Sequence, residues 1–180
     1  NTGKQDDAVL PTSGYFLSGE AGLYKNFKLN HNFSAYHLHA QTYLPIIGKI
    51  SLAVKAGSSL VAGGESLNSN AQWFQHAIIG GPATLRGYRW DRFWGSSAVY
   101  NQNELRYITD LKSYYLNAKV GAFLFADNGR VWQRGEASEK WHNSFGAGLL
   151  IVPFYKLHCS LTWATNGEVN ALQFMLKTRL

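Results

Sequence analysis

Apolar and polar residues alternate with a period of two along most of this chain, and this pattern constrains the fold more than any other feature. Between residues 50 and 56, for example, Ile50, Leu52 and Val54 lie on one face while Ser51 and Lys55 lie on the other. A period of two indicates β-strands whose two faces differ in chemistry, whereas helical spacing is hardly seen. We therefore predict an all-β protein.

The alternating runs predict eight strands joined by connections of two kinds. The strands fall at about residues 14–23, 31–45, 48–63, 96–109, 113–127, 142–153, 156–165 and 169–180, and several are as long as the ~9–11 residues that a tilted strand needs to cross a bilayer. Short connections at 45–48, 110–112 and 154–156 alternate with mostly longer, polar ones at 24–30, 64–95 and 128–141, the tight turn at 166–167 being the exception. Tight turns on one rim and long loops on the other are typical of an outer-membrane barrel, and both chain ends are then periplasmic.

The polar faces favour a water-filled lumen over a packed soluble core. They carry charges of both signs in mid-strand, among them Lys55, Glu104 and Lys119. Aromatic residues near strand ends, such as Tyr43 and Trp163, match the interfacial girdles of membrane barrels. We predict a transmembrane antiparallel up-and-down β-barrel, with a soluble barrel as the alternative.

Composition and residue spacing exclude several other classes. With 14% aromatic and 16% charged residues the chain is not intrinsically disordered, and no run approaches the roughly 20 apolar residues of a transmembrane helix. Cys159 is the only cysteine, which excludes an internal disulfide and a cysteine-rich zinc site. His37 and His39 share a strand face, but no further ligand is evident by spacing, so no metal site is predicted. No catalytic constellation or phosphate loop is evident, and we predict neither enzyme activity nor a cofactor.

Residues 64–95 break the alternation and include the run GGPATLRGYRWDRFWG, which begins at Gly80. A loop this long in a compact domain is usually functional or disordered, and its many aromatic residues indicate that it packs against something. Arg86, Arg89 and Arg92 alternate with aromatic residues, as in platforms that stack single-stranded nucleic acid. No wider basic surface accompanies them, so no nucleic acid partner is predicted.

Five motifs, in order along the chain, resemble those of one membrane-protein family. They are Leu10-Pro11-Thr12-Ser13-Gly14, Thr42-Tyr43-Leu44-Pro45, Gly80-Gly81 with Leu85-Arg86-Gly87-Tyr88, Asn103-Glu104-Leu105-Arg106, and Phe125-Ala126-Asp127-Asn128-Gly129. Together they resemble the BamA/TamA-type outer-membrane protein assembly and translocation superfamily, also called the bacterial surface antigen family. The resemblance implies the C-terminal half of a sixteen-stranded barrel in the outer membrane of a Gram-negative bacterium. Residues 1–13 are then a periplasmic lead-in, residues 14–180 the half-barrel, and residues 64–95 a loop inserted into the lumen.

The resemblance also implies roles for individual residues. Arg86 is the cation at the tip of the lumen loop and contacts Glu104 and Asp127 on the inner wall. The alternation independently places these two carboxylates on the lumen face of neighbouring strands. We expect this contact to act chiefly as a loop anchor, the alternative being a direct part in handling substrate. Further site residues implied are Gly87 for close backbone approach, Tyr88 for packing on the wall, Gly129 of the aspartate motif, Gly80 and Gly81 at the loop base, and Gln173, Phe174, Leu176 and Leu180 in a C-terminal assembly signal at the barrel seam.

The function implied is insertion of outer-membrane proteins or translocation of polypeptide across the outer membrane. The expected partners are outer-membrane lipid and lipopolysaccharide, unfolded outer-membrane or secreted polypeptides, and an N-terminal half-barrel from the same or a second chain. An eight-stranded barrel has an interior just wide enough for side chains, so it cannot also hold the loop at 64–95. The alternatives are a small structural, porin-like or adhesin barrel with the loop outside, or the anchor or exporter barrel of a fused passenger domain.

Overall fold

The computed structural model describes residues 1–26, 31–63, 76–114, 116–133 and 140–178. Within these ranges every regular element is a β-strand, and no helix long and apolar enough to span a membrane is found. All strand pairings are antiparallel. The prediction of an all-β antiparallel fold is confirmed.

Eleven strands make up the described part of the chain. In chain order they are β1 (Thr2–Gln5), β2 (Gly14–Asn26), β3 (His31–Ile47), β4 (Ile50–Ala62), β5 (Ala77–Ile79), β6 (Phe93–Gly95), β7 (Ser97–Lys112), β8 (Asn117–Trp132), β9 (His142–Pro153), β10 (Leu157–Thr165) and β11 (Asn170–Thr178). Nine of them form one sheet in the order β1-β2-β3-β4-β7-β8-β9-β10-β11, and β5 and β6 form a separate hairpin. Among the described residues β1 and β11 do not pair, so the sheet is not closed into a barrel.

Each predicted strand has a counterpart, but some boundaries are wrong. The turn expected at residues 110–112 lies within β7, because β7 and β8 stay paired as far as Lys112 and Asn117. At the other end β8 continues past residue 127 to Trp132, which pairs with Ser97. The three additional strands are β1 in the lead-in and β5 and β6 within residues 64–95, which at three or four residues each are too short to show an alternating pattern.

The alternating rows of the sequence become two different faces of the sheet. The outer face carries large apolar side chains that are left exposed, such as Leu38, Leu124 and Leu172, at 61%, 61% and 70% of their surface. The inner face carries the polar row and is covered by residues 6–13 and by the described part of the loop at 64–95. An exposed apolar band on one face and a polar opposite face are typical of a lipid-facing wall.

Residues 6–13, which we call the strap, fold from β1 over the inner face of β7, β8 and β9. Leu10 is 2% exposed and packs in a cluster with Ile108, Phe123 and Leu150. Lys119 Nζ on β8 lies 2.6 Å from Asp7 Oδ2, while Asp7 Oδ1 accepts the backbone N–H groups of Val9 and Leu10. Apolar packing and an ion pair therefore both hold the strap on the inner face. Asp6 tightens it by accepting the backbone N–H groups of Thr12 and Ser13 at 2.9 and 3.1 Å.

Acid is expected to loosen the strap. Burial alone would raise the pKa of Asp7, but hydrogen bonds from Lys119 and from the N–H groups of Val9 and Leu10 lower that pKa below its ordinary 3.8. A carboxyl group whose pKa is lowered by folding stabilises the folded form above its unfolded pKa, and the contribution is lost as the pH falls through the folded pKa. We expect hydrogen-exchange protection of the Leu10 amide, corrected for the intrinsic exchange rate, to fall as the pH drops below about 3.8.

The control for this prediction is the exposed Glu168 in the turn between β10 and β11. Asp7→Asn is expected to reduce protection at neutral pH and to flatten its pH dependence, whereas Glu168→Gln is expected to change neither. Protection of Leu10 that stays constant from pH 7 to pH 3 in the unaltered chain would contradict the prediction.

Candidate functional site

The β5–β6 hairpin carries residues 80–92 onto the inner face of the sheet. Gly80 and Gly81 begin this excursion with φ angles of +138° and +84°, in a region that favours glycine. A Cβ atom at Gly80 would lie 2.5 Å from the carbonyl oxygen of Arg89 on the returning arm. The two glycines predicted as the loop base thus allow the two arms of the loop to pass close together.

Arg86 at the loop tip is 3% exposed and donates to two carboxylates on the wall. Its Nε and Nη2 atoms lie 2.7 Å and 2.6 Å from Asp127 Oδ2 and Oδ1, and its backbone N–H also donates to Asp127 Oδ2 at 3.1 Å. Its Nη1 atom donates to Glu104 Oε1. A two-point guanidinium–carboxylate pair is both strong and geometrically specific. We call Arg86, Glu104 and Asp127 the loop lock.

The strand register places the two carboxylates within reach of one guanidinium group. Asp127 on β8 pairs with Gln102 on β7, and Glu104 is two residues further along β7 and therefore on the same face. Gln102 completes the surroundings, because its Nε2 atom lies 3.3 Å from the carbonyl oxygen of Pro82 in the loop. The carboxylate side chain of Asp127 has no exposed surface.

An aromatic ring forms the floor beneath the loop lock, and sequence reasoning missed it. The Cζ atom of Arg86 lies 3.8 Å from the centroid of the Phe125 ring, which is cation–π geometry. Phe125 precedes Asp127 by two positions and shares its face of β8. The ring extends over β9 at Gly146, where a Cβ atom would lie 2.8 Å from it. The signal was the spacing Phe125-x-Asp127-x-Gly129, which puts all three residues on one face of a strand.

Gly87 and Tyr88 connect the loop tip to β9 and β10. Gly87 has φ +82°, and a Cβ atom there would lie 3.3 Å from Ser144 Cβ and 3.4 Å from Ala164 Cβ. The hydroxyl of Tyr88 donates to the carbonyl oxygen of Asn143 at 3.1 Å. The loop therefore contacts β9 and β10 as well as β7 and β8, the strands that hold Arg86.

Gly129 lets the hairpin approach β8. A Cβ atom at this position would lie 2.9 Å from Ile79 Cδ1 in β5 and 3.2 Å from the carbonyl oxygen of Val99. Gly129→Ala is expected to cost about 1–3 kcal/mol, as overpacked sites do. The free energy of urea-induced unfolding in detergent checks this value.

The control for Gly129→Ala is Gly19→Ala in β2. The nearest atom to a Cβ at Gly19 is Leu38 Cδ2 at 3.3 Å, the end of an exposed side chain that is able to move. The unfolding free energy of Gly19→Ala is expected to stay within about 0.5 kcal/mol of the parent. An equal loss of unfolding free energy in both variants would show that the close approach of Ile79 to Gly129 does not contribute to stability.

Arg106 is a second site residue that was not assigned a role from the sequence. Its Nε and Nη2 atoms lie 2.6 Å and 2.5 Å from Glu104 Oε2, so Glu104 is shared between Arg86 and Arg106. Two arginines and two carboxylates thus form one connected network. The signal was again alternation, because Glu104 and Arg106 are two positions apart on one strand.

Other predicted residues lie away from the loop lock. Arg89, Arg92 and Trp90 are exposed on the returning arm. Gln173, Phe174 and Leu176 lie on the edge strand β11, with Phe174 and Leu176 on the outer face, while Leu180 lies outside the described residues.

The two strand histidines make hydrogen bonds to hydroxyl groups. His37 Nδ1 bonds to Ser59 Oγ and His39 Nδ1 bonds to Tyr100 OH, both at 3.0 Å. No group of three or more potential metal ligands occurs in the part of the chain that the structure describes.

Comparison with known proteins identifies one family. The model of the Omp85 superfamily domain matches residues 1–177, nearly the whole chain. No curated protein matches the chain. The matched range contains the strap, the loop lock, Phe125 and Arg106. The family resemblance predicted from the order of the motifs is confirmed.

Proposed function

Since the chain belongs to the Omp85 superfamily, we propose that it is part of an outer-membrane barrel that inserts outer-membrane proteins or translocates polypeptide across the outer membrane. Members of this superfamily in general assemble or translocate proteins at the outer membrane and are not enzymes. The proposed location is the outer membrane of a Gram-negative bacterium. The proposed partners are lipid, lipopolysaccharide and unfolded polypeptide.

The observation that carries this proposal is a lipid-type outer face on a sheet with two open edges. β1 covers only Gly14–Leu17 of β2, which leaves residues 18–24 without a strand partner on that side among the described residues. In the part of the chain that the structure describes, β11 pairs only with β10. Unpaired backbone polar groups are costly in lipid, so other strands must complete the wall. We propose that an N-terminal half, from the same chain or a second one, completes a sixteen-stranded barrel.

In the proposed mechanism the middle of the sheet is rigid, and an edge strand is available for pairing. The loop lock ties residues 80–92 to β7 and β8, which lie in the middle of the sheet. β11 lies at the edge and pairs antiparallel with β10 over nine residues, and no described strand pairs with its other side. An exposed edge is able to accept an extended segment as an added strand. We propose that β11 pairs with substrate strands and that substrate folding supplies the energy.

Site-specific crosslinking tests this function. A cysteine is placed at Leu172 on β11, or as a control at Leu124 on β8, in a Cys159→Ser background of the full-length protein. Both side chains point outward and are similarly exposed, but β8 already has a neighbour on each side. An outer-membrane protein with single cysteines in its strands is supplied during folding into membranes. We expect disulfide crosslinks from position 172 and none from position 124.

Two results would overturn the proposal. One is equal crosslinking from positions 172 and 124, which would indicate contact through lipid without strand pairing. The other is a stable, closed monomeric channel that neither accelerates the folding of a urea-unfolded outer-membrane protein nor crosslinks to it. That second result would favour the small structural or porin-like barrel.

A further inference from the structure

We propose that Arg106 is a positioning residue that couples the loop lock to the strap, so that release of the loop loosens the strap. The coupling would link the loop in the lumen to the periplasmic end of the wall. A role for this coupling during insertion or translocation rests on the proposed function.

The first step of the argument is the way in which Glu104 divides its two oxygens. Arg86 Nη1 donates to Oε1, whereas Arg106 Nε and Nη2 both contact Oε2, at 2.6 and 2.5 Å. Both arginines and Glu104 are largely buried, with side-chain exposures of 4%, 15% and 17%. Neither arginine therefore has Glu104 to itself, and the way in which Arg106 binds this carboxylate depends on whether Arg86 occupies Oε1.

The second step is the contact of Arg106 with the strap. Its remaining terminal nitrogen, Nη1, lies 3.5 Å from the carbonyl oxygen of Pro11. Pro11 follows Leu10, the residue that anchors the strap in the apolar cluster of the inner face. One guanidinium group thus holds Glu104 of the loop lock and the backbone of the strap together.

The third step is the direction of the coupling. When Arg86 leaves, Oε1 of Glu104 loses its donor and becomes free to accept from Arg106. A guanidinium group pairs best with a carboxylate through two parallel hydrogen bonds, one to each oxygen. Arg106 then rotates so that Nε and Nη2 each take one oxygen of Glu104, and this rotation carries Nη1, already 3.5 Å from the carbonyl oxygen of Pro11, out of hydrogen-bond range. The ion pair between Lys119 and Asp7 also holds the strap but makes no contact with Glu104, so it provides an uncoupled comparison.

A cavity shows what such coupling would control. About 340 Å³ of space lies on the inner face, lined by Pro82 and Arg86 of the loop and by Ala8 to Pro11 of the strap. Glu104 and Arg106 lie in its wall. The loop and the strap thus form two parts of the wall of one cavity, and release of both changes more of that wall than release of one.

Thiol labelling of the strap tests the coupling. The full-length protein in membranes carries Val9→Cys in a Cys159→Ser background, and the rate of reaction with a water-soluble maleimide reports strap opening. We expect Arg86→Ala to raise this rate by about fivefold or more, the lower end of typical coupling between sites. In an Arg106→Gln background we expect Arg86→Ala to change the rate less than about twofold.

Two further variants separate coupling from general loosening. Lys119→Gln is expected to raise the labelling rate by itself, because it removes the ion pair with Asp7. Arg86→Ala is expected to raise the rate by the same factor in this background as in the parent, because that ion pair does not contact Glu104. Arg106→Lys is expected to abolish the coupling although it retains the charge, because an ammonium group lacks the planar fork that holds both Glu104 and Pro11.

The proposal is overturned if Arg86→Ala leaves labelling of residue 9 unchanged, or raises it equally with and without Arg106. If Arg86→Ala does not fold, as judged by heat-dependent gel mobility, Arg86→Lys replaces it, because one ammonium group cannot hold Asp127 and Glu104 together. An unchanged labelling rate in Arg86→Lys, or an equal rise with and without Arg106, then overturns the proposal. The labelling needs no substrate. Absence of crosslinks from β11 with intact coupling therefore refutes the proposed function alone.

Discussion

Arg86→Ala is expected to lower the free energy of unfolding by about 3–5 kcal/mol, the cost of removing one partner from a buried ion pair. The substitution leaves Asp127, which has no exposed side-chain surface, without the guanidinium that neutralises it. Glu104 retains Arg106, so most of the cost is expected to arise at Asp127. Urea-induced unfolding of the full-length protein in detergent, followed by heat-dependent gel mobility, measures the change.

Two comparisons identify the origin of this loss. Arg89→Ala removes an exposed arginine from the same loop and is expected to change stability by less than about 0.5 kcal/mol. The double variant Arg86→Leu with Asp127→Leu is expected to recover much of the loss, because replacing both members of a buried ion pair by apolar residues is often neutral. Full stability of Arg86→Ala would show that the loop lock does not anchor the loop.

Phe125→Ala is expected to cost about 3–5 kcal/mol, as truncation of a buried aromatic residue does. Phe125 is buried, covers Gly146 and supports the guanidinium of Arg86 at 3.8 Å. The loss thus combines a cavity on β9 with a weakened loop lock. The same unfolding measurement gives the size of the effect.

Leucine substitutions separate the two contributions. Phe125→Leu keeps most of the apolar volume but removes the aromatic face, whereas Phe123→Leu makes the same change at a ring 5.9 Å from Arg86 Cζ. We expect Phe125→Leu to be more destabilising by about 1–2 kcal/mol, the range of a partly desolvated cation–π contact. Equal effects at the two positions would assign the role of Phe125 to packing alone.

The chemistry of the two sheet faces was predictable from the alternation. Ile50 was placed on one side and Lys55 on the other, and in the structure Ile50 lies on the outer surface and Lys55 lines the inner cavity. This works because successive side chains on any strand point to opposite faces, whatever the strand pairs with. The positions at which strands end were not predictable from the alternation. β7 continues to Lys112 because it pairs with β8, and no residue near position 110 signals that pairing.

The functional site was predictable only in part, because contacts between distant segments leave no local pattern in the sequence. The carboxylates were identified because family motifs and alternation agreed on Glu104 and Asp127. The role of Phe125 depends on a glycine in β9 across which its ring lies. The role of Arg106 depends on a strap that comes from almost a hundred residues earlier in the chain. Neither neighbour is within reach of a local pattern.

The sequence by itself therefore determined the strands, their two faces, the break at residues 64–95 and the family. These are local properties, set by the geometry of a strand and by short motifs. Only the tertiary structure decided that Glu104 is shared by two arginines, that Arg86 lies over an aromatic ring and that residues 6–13 fold onto the inner face. Those contacts join segments remote in the chain, and their distances follow from strand register and sheet curvature, which no single strand encodes.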